Sequence, residues 1–346
     1  MELRELIPAL AGLMSITGYE TYSSAELSEL AVGFDEDLTD VVGNRMFIRR
    51  CGRENAPKIL IDTHFDEIGM FVTDILEGGF LRVTSVGGLD ARTLPAAQVK
   101  VYGKRVIDGV ITSVPPHLSS GEKEKEVAPV TELLIDTGWS RESLLPLVRI
   151  GTPVGFAPRY RYLENNRLVG KGLDNKACCA AALAALGDIP ARKLVGDVAL
   201  LFSVHEETDR LGGTVVGGYA FDPDYAMVVD VNIGIAPGTK KSEGVALGKG
   251  PSIARSAVTD RTLTKMTEAL CDKEGIPWQR SVDPVNTGTN TGALHLVRSG
   301  IPVVDVGLPL RAMHTYVEMI DLADAEALTQ LIRAFVTDRE IAKEFA

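Results

Sequence analysis

From Leu3 onward the apolar residues Leu6, Ile7, Leu10, Leu13 and Met14 recur at helical spacing and Gly18 ends the pattern, which predicts an opening amphipathic helix. A second helix is expected from about Ser23. After Asn44 the pattern shortens to strand-like apolar runs over 46–49, 58–62 and 68–75, each bounded by Gly, Pro or charged residues. From Gly79 to about Tyr162 short β-branched runs (81–86, 98–102, 106–111) and turn residues continue with little helical periodicity, which predicts a small β-rich domain. The charged run Glu122 to Glu126, after Pro115-Pro116, reads as a solvated loop. Beyond Gly170 helices and strands alternate. A helix is expected over 174–186, a strand over 197–204, a Gly-rich helix near Leu211 and a strand over 225–231. Helices over 262–274 and 291–298, a strand over 302–307 and a closing helix from Ala323 follow. This alternation predicts an α/β fold with a largely parallel or mixed sheet and helices on both faces. The expected organisation is one main domain, from residues 1–69 and 163–346, interrupted by a β-rich insert at 70–162.

The length of 346 residues suits two domains with a sizeable core. Lys plus Arg is 36 against 47 for Asp plus Glu, a net charge of −11, so there is no basic surplus for a general nucleic-acid binder. The longest apolar runs, 177–186 and 198–204, fall short of the roughly 18 to 20 residues that span a bilayer, and no membrane association is expected. Glu2, Arg4 and Glu5 interrupt the first apolar residues, so no secretory signal is expected. Cys51, Cys178, Cys179 and Cys271 show no CxxC spacing, and the adjacent pair reads as small apolar residues in an alanine-rich helix. The expected location is the reducing cytoplasm.

Chemistry enters at the strand ends. His64 and Asp66 stand two apart on an extended segment and can face one side, as a metal-binding imidazole and its orienting carboxylate would. By itself such a pair is also what a structural histidine looks like. Asp174 opens the helix over 174–186, where an N-cap would stand. The strand over 197–204 runs into His205-Glu206-Glu207, and the strand from Tyr225 runs into Asp230. Acidic pairs are usually solvated, but these follow strongly apolar strands at the carboxyl ends where α/β sheets bind ligands. The strand over 303–306 leads through Arg311 to His314. Two histidines with several carboxylates form a ligand set for a pair of divalent ions sharing one carboxylate, with another carboxylate left to move a proton.

The segments Ser15 to Glu20, His64 to Gly69, Gly109 to His117, Leu173 to Lys176, Glu206-Glu207, Val229-Asp230, Gly248 to Pro251 and Arg311 to His314 occur in an order spanning about residues 15 to 325. In these the chain resembles the tetrahedral (TET) aminopeptidases, the forty-second metallopeptidase family, which includes glutamyl, leucyl and lysyl aminopeptidases and members labelled endoglucanase. The resemblance implies that His64 and Asp230 hold one metal, Glu207 and His314 the other, and Asp174 both. It further implies Glu206 as the general base toward a metal-bridging hydroxide and Asp66 as the carboxylate orienting His64. Two divalent ions per chain are expected, zinc or cobalt ahead of manganese, with peptides as substrates. The insert would be a PDZ-like dimerisation module, and dimers would assemble into a dodecamer.

Departures fall near the substrate. Relatives usually read Gly-Gly-Thr-Asp-Ala where this chain has Thr287-Gly-Thr-Asn-Thr291, so Asn290 replaces an acid. His205 stands where relatives often carry Gln, and Ala312 and Thr315 replace Tyr and Ser beside His314. Asn290, Arg311 and His205 are the expected substrate-pocket residues, while His117 reads as structural and His295 as packing or pocket lining rather than a ligand. The expected activity is removal of N-terminal residues from peptides. A carboxypeptidase or N-deacylase would use the same chemistry. A glycosidase, with two carboxylates about 5 to 9.5 Å apart, would leave both histidines unexplained. A non-catalytic assembly protein would not need Glu206.

Overall fold

The computed structural model describes residues 1–112, 127–208, 210–240, 242–285 and 287–345. His117 and the charged run Glu122 to Glu126 lie outside the described residues. The apolar runs of the main domain become strands Lys58–His64, Asp197–Ser203, Tyr225–Ile233 and Val303–Leu310, which lie side by side and parallel. Among the described residues they form the centre of an eight-stranded mixed sheet. Its order is Glu36–Thr39, Arg45–Arg49, Asp197–Ser203, Lys58–His64, Tyr225–Ile233, Val303–Leu310, Ser252–Ser256 and Gln279–Asp283.

Both faces are covered, which is why these strands read as nearly continuous apolar runs. Ile59, Ile61, Val198, Leu200 and Phe202 share one core with helices Leu3–Ala11, Leu173–Leu186, Arg261–Glu274 and Leu322–Phe335. The alternate residues Leu60, Ala199, Leu201, Ala226 and Val228 pack on the other side against Phe221, at the end of helix Gly212–Phe221, and Leu294. The Leu173–Leu186 helix is buried along almost its whole length. Small Ala and Cys side chains on every side let neighbouring backbone approach it, as a helix apolar all round requires. All four cysteines are free and buried.

Some elements differ from the sequence reading. The helix expected over 291–298 stops after one turn, Thr291–Leu294. Arg298 then takes a left-handed φ of 56°, and the Ile301 N–H on the His295 carbonyl turns the chain back toward the sheet. Strands Glu36–Thr39, Ser252–Ser256 and Gln279–Asp283 were not visible as apolar runs. They lie at or near the sheet edges, where half the positions face water. A helix Arg339–Phe345 follows the one begun at Leu322.

Directly after Lys58–His64 the chain leaves the sheet and builds a closed antiparallel barrel. Its strands follow one another as Gly69–Ile75, Phe80–Val86, Leu134–Asp136, Val106–Ile111, Gln98–Tyr102 and Pro153–Phe156. The strict alternation along Val106–Ile111 sends Ile107 and Ile111 inward, where they meet Met70, Leu81, Val83, Val99, Ile135 and Val154 in a separate core. The chain then pairs Arg161–Leu163 with Arg167–Gly170, and the latter with Glu318–Asp321, in a small sheet beside the main domain. Among the described residues, no helix is long and apolar enough to cross a membrane.

Candidate metal centre

The four parallel strands deliver their carboxyl ends to one crevice, as the geometry of open α/β sheets requires. His64 is the last residue of its strand, and Asp230 lies near the end of Tyr225–Ile233. Glu206 and Glu207 occupy a single turn just beyond Asp197–Ser203, and His314 lies in the loop beyond Val303–Leu310. Asp174 comes from across the crevice, at the start of the buried helix.

The carboxylate of Asp174 stands between two groups of donors. Its Oδ1 is 3.1 Å from His64 Nε2, which is also 3.4 Å from Asp230 Oδ1. Its Oδ2 is 3.6 Å from His314 Nε2, which is in turn 3.5 Å from Glu207 Oε2. Donors sharing one ion at bond lengths near 2.1 Å in tetrahedral geometry lie about 3.4 Å apart, so both spacings suit ligands of a common cation. Single donor atoms of His64, Asp174 and Glu207 also fall within 4.8 Å of one another.

The polarity of the imidazole supports the same reading. His64 Nδ1 lies 3.1 Å from the carbonyl of Asp66, which can only accept, so Nδ1 carries the proton and donates it. In the neutral ring, Nε2 then directs a lone pair at two carboxylates, an arrangement satisfied by a cation between them. Burial, with Asp174 and the other acids adding, pushes Glu207 well above the usual carboxylate range. Glu206 is raised to about 8 by burial and by Asp230, Asp174 and Asp66, with His64 opposing. These residues fit a pair of divalent ions.

Asp66 organises the adjacent acids as well as the imidazole. Its Oδ1 lies 3.5 Å from His64 Nδ1 and accepts the Glu206 N–H at 3.2 Å. Its Oδ2 accepts the Glu207 N–H at 3.2 Å and the Thr17 hydroxyl at 2.8 Å. With their backbones fixed together, the two glutamates diverge. Glu207 turns toward His314 with its side chain 3% exposed. Glu206 Oε2 is 4.0 Å from His64 Nε2, and its side chain is 14% exposed into the crevice.

The centre lies in a cavity of about 350 Å³, within the range of small-ligand sites. Gly88, two residues past the barrel strand Phe80–Val86, forms part of its wall, and a Cβ there would come within 2.8 Å of His314 Nδ1. Val231, Asn232, Ile233, Asp283, Thr287, Gly288, Thr289 and Met313 complete the lining among the described residues. Asn290, Arg311 and His205 are not brought into it. Arg311 turns its Nε to the Ile235 carbonyl at 2.7 Å. His205, at a φ of 67°, bends the chain from strand to turn, and its carbonyl accepts the Leu211 N–H and the Thr208 hydroxyl. His295 donates from Nδ1 to the Thr291 carbonyl at 2.8 Å.

Asn290 is buried behind the cavity, between two carboxylates. Its amide donates to Ser203 Oγ at 2.8 Å, and Ser203 donates to Asp62 at 2.6 Å. On its other side Thr289 and Thr291 both donate to Asp305, at 2.6 and 2.7 Å. Burial raises Asp62 and Asp305 to about 6 each. A third carboxylate at 290 would add like charge to this layer, whereas the amide donates to Ser203 and leaves its buried Oδ1 without a described partner.

Glu318 was not singled out from the sequence, although it stands four residues past His314. Fully buried, it accepts the Asp174 N–H on Oε2 and the His314 N–H on Oε1, both at 3.1 Å. One carboxylate thereby aligns the backbone of two candidate ligands. Glu318→Gln, which loses one acceptor, is expected to weaken metal binding by about 10- to 100-fold, the scale for partners of ligating residues. A metal titration followed by calorimetry checks this, and wild-type affinity in the variant would show that the alignment is dispensable.

Known proteins match the sequence and fold over nearly the whole chain. A lysyl aminopeptidase of Pyrococcus furiosus is 29% identical over 346 residues, covering 96% of each chain. The solved TET aminopeptidase of a marine-sediment thaumarchaeote superposes with a TM-score of 0.91 at 27% identity, over 99% of both chains. The TET1 peptidase of Pyrococcus horikoshii, which can assemble into a tetrahedron or a large octahedral shell, gives 0.85 at 31% identity, over 97% of this chain and 100% of that one. Residues 43–331 match the sequence model described as M42 glutamyl aminopeptidase, and the chain belongs to that family of metallopeptidases.

Proposed function

We propose that this protein removes N-terminal residues from peptides with the help of two divalent ions, His64 and Asp230 holding one, Glu207 and His314 the other, and Asp174 both. The observation that carries the reading is the Asp174 carboxylate, whose two oxygens face separate histidines at 3.1 and 3.6 Å. Bound there, such ions lower the pKa of a coordinated water toward 7 and polarise a peptide carbonyl. Borderline imidazole and hard carboxylate donors suit zinc or cobalt, then manganese.

The chain's own residues complete the reaction. Glu206, free of the paired donor contacts and open to the cavity, takes a proton from the attacking water and returns it to the leaving nitrogen. Asp66 keeps the His64 ring in the tautomer that leaves Nε2 for the metal and fixes the backbone from which Glu206 projects. Residues 1–69 and 163–346 act as the catalytic unit. The barrel within 70–162 acts as a PDZ-like dimerisation module, and dimers build a dodecamer; the shells described for the Pyrococcus horikoshii relative support this. Four buried, unpaired thiols suit a cytoplasmic location.

One preparation tests both parts. Sized by light scattering and then assayed, the metal-loaded protein is expected to form particles larger than a monomer and to release arylamine from free aminoacyl-arylamides. Chelation should stop the release. N-acetylated substrates should be inert. Cleavage of blocked peptides would instead favour a deacylase or carboxypeptidase, and activity that survives chelation would remove the metals from the mechanism.

A further inference from the structure

The cavity over the metal centre contains one acid that the proposed chemistry does not use. Asp283 ends the edge strand Gln279–Asp283, which is held in parallel register against Ser252–Ser256 with Asp283 opposite Ser256. Alternation separates it from the nearby cations. Arg280 donates to Glu268 through Nε and Nη2, both at 2.9 Å, and Arg255 donates to the same carboxylate at 3.0 and 2.7 Å. Residue 283 has the opposite parity to 280 and reaches the cavity instead. Among the described residues, no Lys or Arg lines that cavity. Nor does any described residue form an ion pair with Asp283, whose carboxyl has the Ser281 hydroxyl beside it.

The charge balance points the same way. Asp174, Glu206, Glu207 and Asp230 line the cavity, and two divalent ions held there would offset the charge of these four acids. Asp283 remains uncompensated. Its neighbours in the wall, Thr287, Gly288 and Thr289, are neutral, and Asp305 holds the Thr289 hydroxyl. Partial burial raises the Asp283 carboxyl, and a cation placed on it would offset that cost.

Distance separates two sources of a cationic group on the substrate. In the sheet order, the Asp283 strand stands three strand spacings from the one carrying Asp230, about 14 Å at the usual interstrand distance. The α-amine sits on the carbon next to the scissile carbonyl and must stay beside the metals. The long side chain of an N-terminal lysine or arginine can cross the cavity toward Asp283.

We propose that Asp283 is a specificity-determining residue that pairs with the cationic side chain of N-terminal lysine or arginine, so that basic N-terminal residues are the favoured substrate class. The inference rests on the aminopeptidase reading above. Its test measures kcat and KM of the metal-loaded enzyme on lysyl-, arginyl-, leucyl- and glutamyl-arylamides, for wild type, Asp283→Asn and Asp283→Lys, with product inhibition by free lysine and leucine. Wild type is expected to favour lysyl and arginyl over glutamyl substrates by at least about tenfold in kcat/KM, the factor equivalent to a single charge-assisted contact. Asp283→Asn is expected to lower the lysyl-to-leucyl ratio about tenfold, chiefly through KM, and to weaken inhibition by lysine relative to leucine. Asp283→Lys should shift preference toward glutamyl. Lysyl and leucyl rates falling in parallel, or a wild type that prefers glutamyl substrates, would overturn the assignment while leaving the aminopeptidase reading in place. Absence of arylamine release from all four substrates would overturn that reading and this inference with it.

Discussion

Glu206→Gln is expected to retain both metal ions and to turn over about 10² to 10⁴ times more slowly than wild type, the usual contribution of general acid–base catalysis. The structure separates this residue from its neighbour. Both backbone N–H groups are fixed by Asp66 at 3.2 Å, yet only Glu207 closes on His314, at 3.5 Å. Gln keeps the shape of Glu206 and can still hydrogen-bond, but it cannot accept a proton from water at neutral pH. Glu207→Gln should instead lower the stoichiometry or affinity of one ion. Elemental analysis beside single-turnover rates checks both. Should Glu206→Gln lose metal and keep its rate per bound ion, while Glu207→Gln does the reverse, the two roles exchange.

Replacement of Asp174 has the larger effect on composition. Asp174→Ala is expected to bind neither ion stably and to lose essentially all activity, because its two oxygens serve both donor groups. The loss of affinity should exceed the about 10- to 100-fold expected for an outer partner such as Glu318. Misfolding is a separable explanation. In the metal-free protein the acids repel one another, and Asp174 is among the causes that raise Glu206, Glu207, Asp230 and Glu318. Removing its charge should leave the metal-free variant no less heat-stable than metal-free wild type, while addition of metal should raise the melting temperature of wild type alone. A variant that still holds two ions would rule out the shared carboxylate.

Much of this centre was legible because its acids interrupt or follow apolar strands. A Glu-Glu pair after Val198-Ala-Leu-Leu-Phe-Ser-Val is conspicuous, and the strand ends converge by a general property of parallel sheets. The supporting residues were harder to assign. Asp62 and Asp305 also interrupt apolar strands, but their hydroxyl partners Ser203, Thr289 and Thr291 are 14 or more residues away, and Glu318 lies in a short polar stretch whose Asp174 partner is far off in sequence. Asn290 was read toward the substrate because it replaces the acid of the relatives' Gly-Gly-Thr-Asp-Ala segment, whereas its amide is drawn back to Ser203. Asp283 escaped notice because Gln279–Asp283 is a polar edge strand, and its relation to the cavity depends on pairing with Ser252–Ser256.

The contact of Gly88 with His314 sets a segment from the barrel against a proposed metal ligand, and would link the barrel's orientation to metal binding there. The Val86-Gly87-Gly88 segment issues from a barrel strand, yet its last residue presses so closely on His314 that a methyl group would collide with the ring. A tilt of the barrel about its root would therefore change the space in which His314 swings, and with it the grip on an ion held together with Glu207. Such coupling is reciprocal. Whatever fixes the barrel's orientation, contact between two barrels included, would then change metal affinity, and metal occupancy would change the preference for that orientation by the same factor. On the proposed reading the insert would be a wall of the reaction chamber rather than a detachable cassette, and grafting it from a relative is expected to alter metal affinity even where every proposed ligand stays the same.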